Sequence, residues 1–174
     1  RSNMIDTDDA KELIRELMIM YLPKAIAFIE RNTFGKNVID SLMKDPIIGD
    51  RIYWEYKEIV AQKKIDDVKK THMVNQKSKV RYYGISTDPK TRPMMVDLLR
   101  SIVKNEYKVL KSKYIIDDIS GLIRTKTGKI EHSASSHDDS VFAYLILRYA
   151  IAYGKNLAYF INKLTDVNIS SSEI

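Results

Sequence analysis

Three carboxylates, one histidine and a group of cations have the types and spacing to do chemistry together. Glu30 closes the apolar run Ala25-Ile26-Ala27-Phe28-Ile29. His137, Asp138 and Asp139 come just before a second apolar run that includes Val141, Phe142, Leu145 and Ile146. Hard divalent cations take oxygen ligands, and Mg2+ is usually held by a few carboxylates, with water and substrate phosphate completing the shell. Two such ions about 3.5–4 Å apart hydrolyse phosphodiesters, one activating water and the other stabilising the leaving oxygen. Glu30, Asp138 and Asp139 can supply three carboxylates to such a site, and His137 a general base or a donor beside the metal. Each also has a plainer role. Asp at a helix start is an ordinary cap, Glu at a strand end is often its first solvated residue, and His137 suits a cap or the surface. His72 and His132 have no sequence neighbours that would make them ligands.

The cations are concentrated in one place. The 174 residues carry 29 Lys and Arg against 23 Asp and Glu, a net charge of +6 that favours a polyanionic partner. Residues 62–92 hold nine of the bases and three of the acids, so in net terms the whole excess lies there. Within that block Lys77, Lys79, Arg81, Lys90 and Arg92 are interleaved with Tyr82 and Tyr83. That mixture suits phosphate contacts combined with base or sugar packing. A solvated linker face has the same composition.

The elements that must position these groups follow from periodicity. Leu13, Ile14, Leu17, Met18 and Tyr21 mark an amphipathic helix capped by Thr7 or Asp8 and ended by Pro23. Residues 25–29 form a short unbroken apolar run, predicting a buried strand, parallel in its pairing. Residues 31–35 read as a turn and residues 36–43 as the next helix. Residues 52–56 have strand-like aromatic content, and the basic block after them reads as loop. Residues 94–104 predict a helix with Met95, Leu98, Leu99 and Ile102 on one face. Residues 107–110 predict a short strand, residues 112–123 mix helix and strand signals, and residues 125–129 predict a hairpin turn at Gly128. Residues 140–153 predict the longest helix, apolar nearly all round and ended by Gly154. Residues 168–172 read as a frayed tail. Strands alternating with helices place the chain in the α/β class.

Several chemistries are excluded. There is no Cys, which removes disulfides, thiolate zinc sites and thiol catalysis. No apolar run reaches the roughly 18–20 residues that span a bilayer, and the acid-rich first 20 residues do not read as a secretory signal. No Gly-rich phosphate loop is present, so no ATP site of that kind is expected, and no zinc motif or nucleophile elbow occurs. The opening Arg1 suggests a piece of a longer protein.

Three segments carry a family likeness. AIAFIERNTFGKNVIDSL joins an apolar strand to an acid, an Asn, a Gly and a helix. YYGISTDPKTRPMMVDLLRSIV holds a Gly-x-x-Thr stretch and a basic helix start, and SASSHDDSVFAYLILRYAI runs His-Asp-Asp into an apolar helix. In order and spacing the chain resembles, over roughly residues 20–153, the C-terminal nuclease domain of the large terminase subunit of tailed bacteriophages, the DNA-packaging motor. The resemblance implies a ribonuclease H-like fold of the resolvase/integrase type, a mixed sheet flanked by helices. It implies a metal-dependent endonuclease that cuts concatemeric DNA by two-metal hydrolysis, with Mg2+ or Mn2+. Glu30 would be its second acid, Asp139 its third, Asp138 an auxiliary ligand and His137 an assisting neighbour. Lys77, Lys79, Arg81, Lys90 and Arg92, lying between two acidic motifs, would neutralise the DNA backbone. The partners implied are double-stranded DNA, a portal protein and a small terminase subunit, with no membrane, in the host-cell cytoplasm.

The family carries a first Asp on an earlier strand, and nothing upstream of Asp6 can form that strand. The expectation is therefore a partial nuclease domain over residues 1–153, lacking its first strands and weak or inactive alone, with a C-terminal helix or tail over 154–174. Another ribonuclease H-like nuclease, such as a junction resolvase or transposase core, is the nearest alternative. A non-catalytic module docking on DNA or on the portal is the alternative of a different class.

Overall fold

Two apolar clusters lie on opposite sides of one extended segment, residues 25–31, and this division organises the chain. The structure is a computed structural model that describes residues 5–22, 24–67 and 70–170, the side chains of 61–76 and 165–170 excepted. On one side, α1 (Thr7–Met20) and α2 (Thr33–Leu42) bury Ala10, Met18, Val38, Ile39 and Leu42 with Ile48 and Ile52. On the other, α3 (Thr91–Asn105), α5 (Asp139–Tyr153) and α6 (Leu157–Ser170) supply Met95, Leu99, Leu145, Ala150 and Phe160. Ala25, Ala27 and Ile29 pack on the first cluster, while Ile26 and Phe28 pack on the second. That alternation is the period of two expected of a strand between two layers. Its pairing is parallel, as predicted, but consists of two isolated bridges, Ala27 with Ile52 and Glu30 with Ile85. The segment is also half-buried where the apolar run predicts full burial.

The ladders among the described residues are two antiparallel pairs. β1 (Trp54–Asp67) pairs with β2 (Lys70–Tyr83) in register from Trp54 opposite Tyr83 to Asp67 opposite Lys70. The basic block read as loop is therefore mostly strand. Both faces of a two-stranded ribbon meet water, so its residues need not alternate apolar with polar, and the period-two signal is lost. The second pair is β3 (Leu122–Arg124) with β4 (Ile130–His132), joined by the predicted turn with Gly128 at φ 83°. Before it, α4 (Lys113–Ser120) resolves the mixed signals of that region as helix followed by strand. The chain is mixed α/β, and no helix among the described residues is long and apolar enough to cross a membrane.

Local hydrogen bonds explain where the boundaries differ from expectation. Asp6, rather than Thr7 or Asp8, caps α1, its carboxylate accepting from the N–H groups of Asp8 and Asp9 at 2.9 and 2.8 Å. α2 starts before the predicted residue 36 because Asn32 Oδ1 accepts the Gly35 N–H at 2.7 Å. α3 starts before the predicted residue 94, with Asp88 Oδ1 accepting from the N–H groups of Lys90 and Thr91. Pro93 falls within its first turn, where a missing N–H costs nothing. Residues 107–110, predicted as strand, form a 3-10 turn that satisfies its backbone locally, Val109 N–H to Glu106 and Leu110 N–H to Tyr107. α6 extends through Ser170, so residues 168–170 of the predicted tail are helical and residues 171–172 lie outside the described ones. Gly154 does end α5, but at φ −67°, not in the left-handed region. A Cβ there would collide with the Ala150 carbonyl oxygen and the Tyr53 hydroxyl, so close packing is what calls for glycine.

Candidate functional site

Glu30 continues the Ile26–Phe28 face of its strand and so points toward the layer that holds α3 and α5. Its backbone is fixed on both sides, the Arg31 N–H donating to Ile85 O at 2.8 Å and the Ile85 N–H to Ile29 O at 2.9 Å. Its carboxylate is held by two donors. The Thr87 hydroxyl bonds to Oε1, and Asn32 Nδ2 donates to Oε2 at 3.2 Å. Asn32 thus caps α2 through its oxygen and orients Glu30 through its nitrogen. Gly35 lets the first turn of α2 pass the end of the strand, since a Cβ there would collide with the Glu30 carbonyl oxygen.

The Gly-x-x-Thr stretch has a physical basis in the same place. Gly84, at φ 78°, turns the chain out of β2. A Cβ at Gly84 would come within 2.8 Å of Ile29 O and 2.7 Å of Ile39 Cδ1. Ile85 then bridges to Glu30, and Thr87 bonds to its carboxylate. The following turn is locked by the Thr91 hydroxyl donating to Ser86 O at 2.6 Å and by the Asp88 carboxylate. The N–H of Thr91 is the chief cause that holds the Asp88 carboxyl below its ordinary range.

The second acidic motif is tied to the same segment. Arg92 Nη2 donates to Asp138 Oδ2 at 2.8 Å, and its guanidinium lies 3.9 Å from the centre of the Phe142 ring. Asp138 occupies the cap position of α5 but makes no capping bond. The capping bonds come from Asp118 on α4, 1% exposed, whose Oδ2 accepts from the N–H groups of Ser140 at 2.8 Å and Val141 at 3.2 Å. The sequence does not single out Asp118, because nothing local marks an acid that caps a helix starting at Asp139, in a separate element. Thr87 and Asn32 are inside the quoted motifs, but only the folded chain shows them on Glu30.

Residues 87–92 therefore gather two of the predicted acids, Glu30 through Thr87 and Asp138 through Arg92. Asp139 is not gathered with them. Its side chain is 81% exposed, and the His137 Nδ1 lies 3.9 Å from its Oδ2, beyond hydrogen-bond range. Glu30, Asp138 and Asp139 offer the hard oxygens that Mg2+ or Mn2+ takes. Among the described residues, however, no three acidic or histidine side chains converge to hold an ion. With Asp138 paired to Arg92 and Asp139 turned to solvent, the residues as arranged do not form a complete metal cradle.

The predicted cations divide in two. Lys77, Lys79 and Arg81 share one face of the β1–β2 ribbon, opposite Val60, Glu58 and Tyr56. Lys77 and Lys79 are exposed. Arg81 lies 4.6 Å from the centre of the Trp54 ring and so is packed onto the aromatic root of the ribbon. Lys90 is exposed just before α3, whereas Arg92 is committed to Asp138. His132 bonds through Nδ1 to Ser133 O at 2.9 Å, and the side chain of His72 lies outside the described ones.

No family model matches the chain, and no curated protein or solved structure is significantly similar to it.

Proposed function

We propose that this chain is the metal-dependent endonuclease domain of a DNA-packaging terminase of the tailed-phage kind, built on a ribonuclease H-like fold. One observation carries the reading. The segment that begins with the Thr of the Gly-x-x-Thr stretch touches two of the three candidate acids, Glu30 through Thr87 and Asp138 through Arg92, so three motifs far apart in sequence meet at one place. A structural cap or a solvated strand end gives no reason for that convergence. Glu30, Asp138 and Asp139 are the proposed metal carboxylates, His137 their neighbour, and Mg2+ or Mn2+ the cation. Binding of that cation requires Arg92 to release Asp138 and Asp139 to turn inward. The basic residues supply backbone neutralisation for double-stranded DNA. Portal and small-subunit partners, and a place in the host-cell cytoplasm, belong to the same proposal.

The test is plasmid nicking and Mn2+ binding by the chain, alongside Glu30→Gln and Asp139→Asn. The chain should nick slowly and only with metal. Each variant should lose more than the roughly 10–100-fold typical of losing a mere supporting partner. Nicking that survives both substitutions overturns the assignment.

A second reading is a non-catalytic DNA-binding module. It is favoured by the Arg92–Asp138 pair, which already neutralises one candidate ligand. DNA binding with no metal response in either assay would select it.

A further inference from the structure

A cleft of about 570 Å3 opens beside the gathered acids, between the start of α3 and the β3–β4 hairpin. Its volume falls within the roughly 300–1,000 Å3 usual for ligand clefts. Thr87, which holds Glu30, and Arg92, which holds Asp138, both line it. Arg124 and Lys129, which flank the hairpin turn, line it from the opposite side.

Most of the charge in the cleft is already answered. Arg92 pairs with Asp138, and Arg100 with Asp97 at 2.8 Å. The Asp88 carboxylate is taken by the N–H groups of Lys90 and Thr91. What remains is Arg124 and Lys129 against Glu131. Among the described residues neither Arg124 nor Lys129 has a carboxylate partner. The turn between them is fixed, the Thr125 N–H donating to Lys129 O at 2.8 Å and the Gly128 N–H to Thr125 O at 2.9 Å. The Arg124 guanidinium lies over that turn, Nη2 being 3.8 Å from where a Gly128 Cβ would sit. Two exposed cations beside a hydrogen-bonded turn thus line the same cleft as Arg92, and its apolar lining includes Val96 and Ile130.

We infer that this cleft binds the phosphodiester backbone of a single nucleic-acid strand, with Arg124 and Lys129 as its phosphate-contacting residues. The cations take phosphates, and the apolar lining takes a sugar or base face. A strand so placed passes directly over Arg92 and Thr87, beside both acids. The inference rests on the nuclease reading for what happens to the strand, but not for its binding. It also relocates the contact surface, since neither Arg124 nor Lys129 lies in the basic block of residues 62–92.

The experiment measures binding of fluorescein-labelled 12-mer DNA and RNA of one sequence to the whole chain in EDTA, by anisotropy across a salt series. Arg124→Ala with Lys129→Ala should weaken binding about tenfold or more, as expected when charged hydrogen bonds to phosphate are lost. The salt slope should fall by about 1.4, from about 0.7 per phosphate contact on a single strand. Arg124→Lys should keep most of the affinity, and the tighter of the two oligonucleotides identifies the strand taken. Circular dichroism confirms that the variants fold. Unchanged affinity and slope in the double variant overturn the cleft and leave the nuclease reading standing. Failure of the wild-type chain to bind either strand overturns the cleft together with the nucleic-acid partner. Intact cleft binding with neither Mn2+ binding nor metal-dependent nicking removes the nuclease reading alone.

Discussion

Trp54 and Tyr83 face each other at the root of the β1–β2 ribbon, and there the ribbon belongs to the body. Trp54 is 4% exposed and packs in the same cluster as Leu145 and Phe160. Just beyond it, Tyr56, Ile59 and Val60 are 54%, 47% and 54% exposed. The body is held by burial on both sides of residues 25–31. The described part of the ribbon is held by its own backbone ladder and by stacking at its root, including Lys57 at 3.3 Å and Arg31 at 4.2 Å from the centre of the Tyr82 ring. An isolated two-stranded pair is marginal in water. The comparison teaches that stability and the candidate acids reside in the body, while the ribbon adds an exposed, charged surface.

The largest effect should come from the body. Leu145→Ala, at a fully buried position, should cost about 2–5 kcal/mol in urea unfolding. A loss under about 1 kcal/mol would mean that the site can collapse and that burial there is not what holds the body. Next is Asp118→Ala, which strips the buried cap from the N–H groups of Ser140 and Val141 and should cost about 1–3 kcal/mol. Asp118→Asn keeps an acceptor and should recover much of that loss.

A smaller effect concerns pH. The Arg15 guanidinium, first by its hydrogen bond at 2.6 Å, holds the Asp45 carboxyl below its ordinary range and ties α1 to the loop after α2. A carboxyl lowered in the folded state stabilises above its unfolded pKa, about 3.9, and that contribution is lost as pH falls through the folded value. Asp45→Asn should therefore be less stable than the wild type near neutral pH and converge with it as pH falls below about 4. A gap that widens in acid would contradict the assignment.

The smallest effects should be in the ribbon. Ile59→Ala should change stability by no more than about 0.5 kcal/mol, as for other surface positions. Replacing residues 58–79 with an Asn-Gly turn should leave the melting transition of the body cooperative and nearly unmoved. Loss of cooperativity would show that ribbon and body are one folding unit, and the contrast between them would fall.

Much of the fold is legible before folding. The span of α5 reads correctly because the apolar run between Asp139 and Gly154 is too long for a strand, but its all-round apolar character predicts burial on most faces and the structure leaves Leu147, Ile151 and Tyr153 at 37%, 55% and 47% exposed. The Gly128 turn reads correctly because its left-handed φ favours glycine. Residues 25–30 disclose their parallel character by lacking polar alternation. The ribbon is misread because strand periodicity reports a buried face, and its described outer positions have none. At the candidate site, Glu30 is marked by its place at the end of an apolar run and Asn32 and Gly35 read only as turn residues, yet the sequence does not say that Thr87 bonds to Glu30 or that Arg92 answers Asp138. Those contacts join residues 57 and 46 positions apart.

The sequence alone determined the main helices and the Gly128 turn, the two acidic motifs and the concentration of positive charge, because each depends on neighbours within a few residues. Tertiary structure decided which charges are spent. It paired Arg92 with Asp138, gave the capping of α5 to the distant Asp118, stacked Arg81 on Trp54 and, among the described residues, left Arg124 and Lys129 without a carboxylate partner. A charge can be counted along the chain, but whether it is neutralised depends on what lies within a few ångströms of it, and only the fold sets those distances.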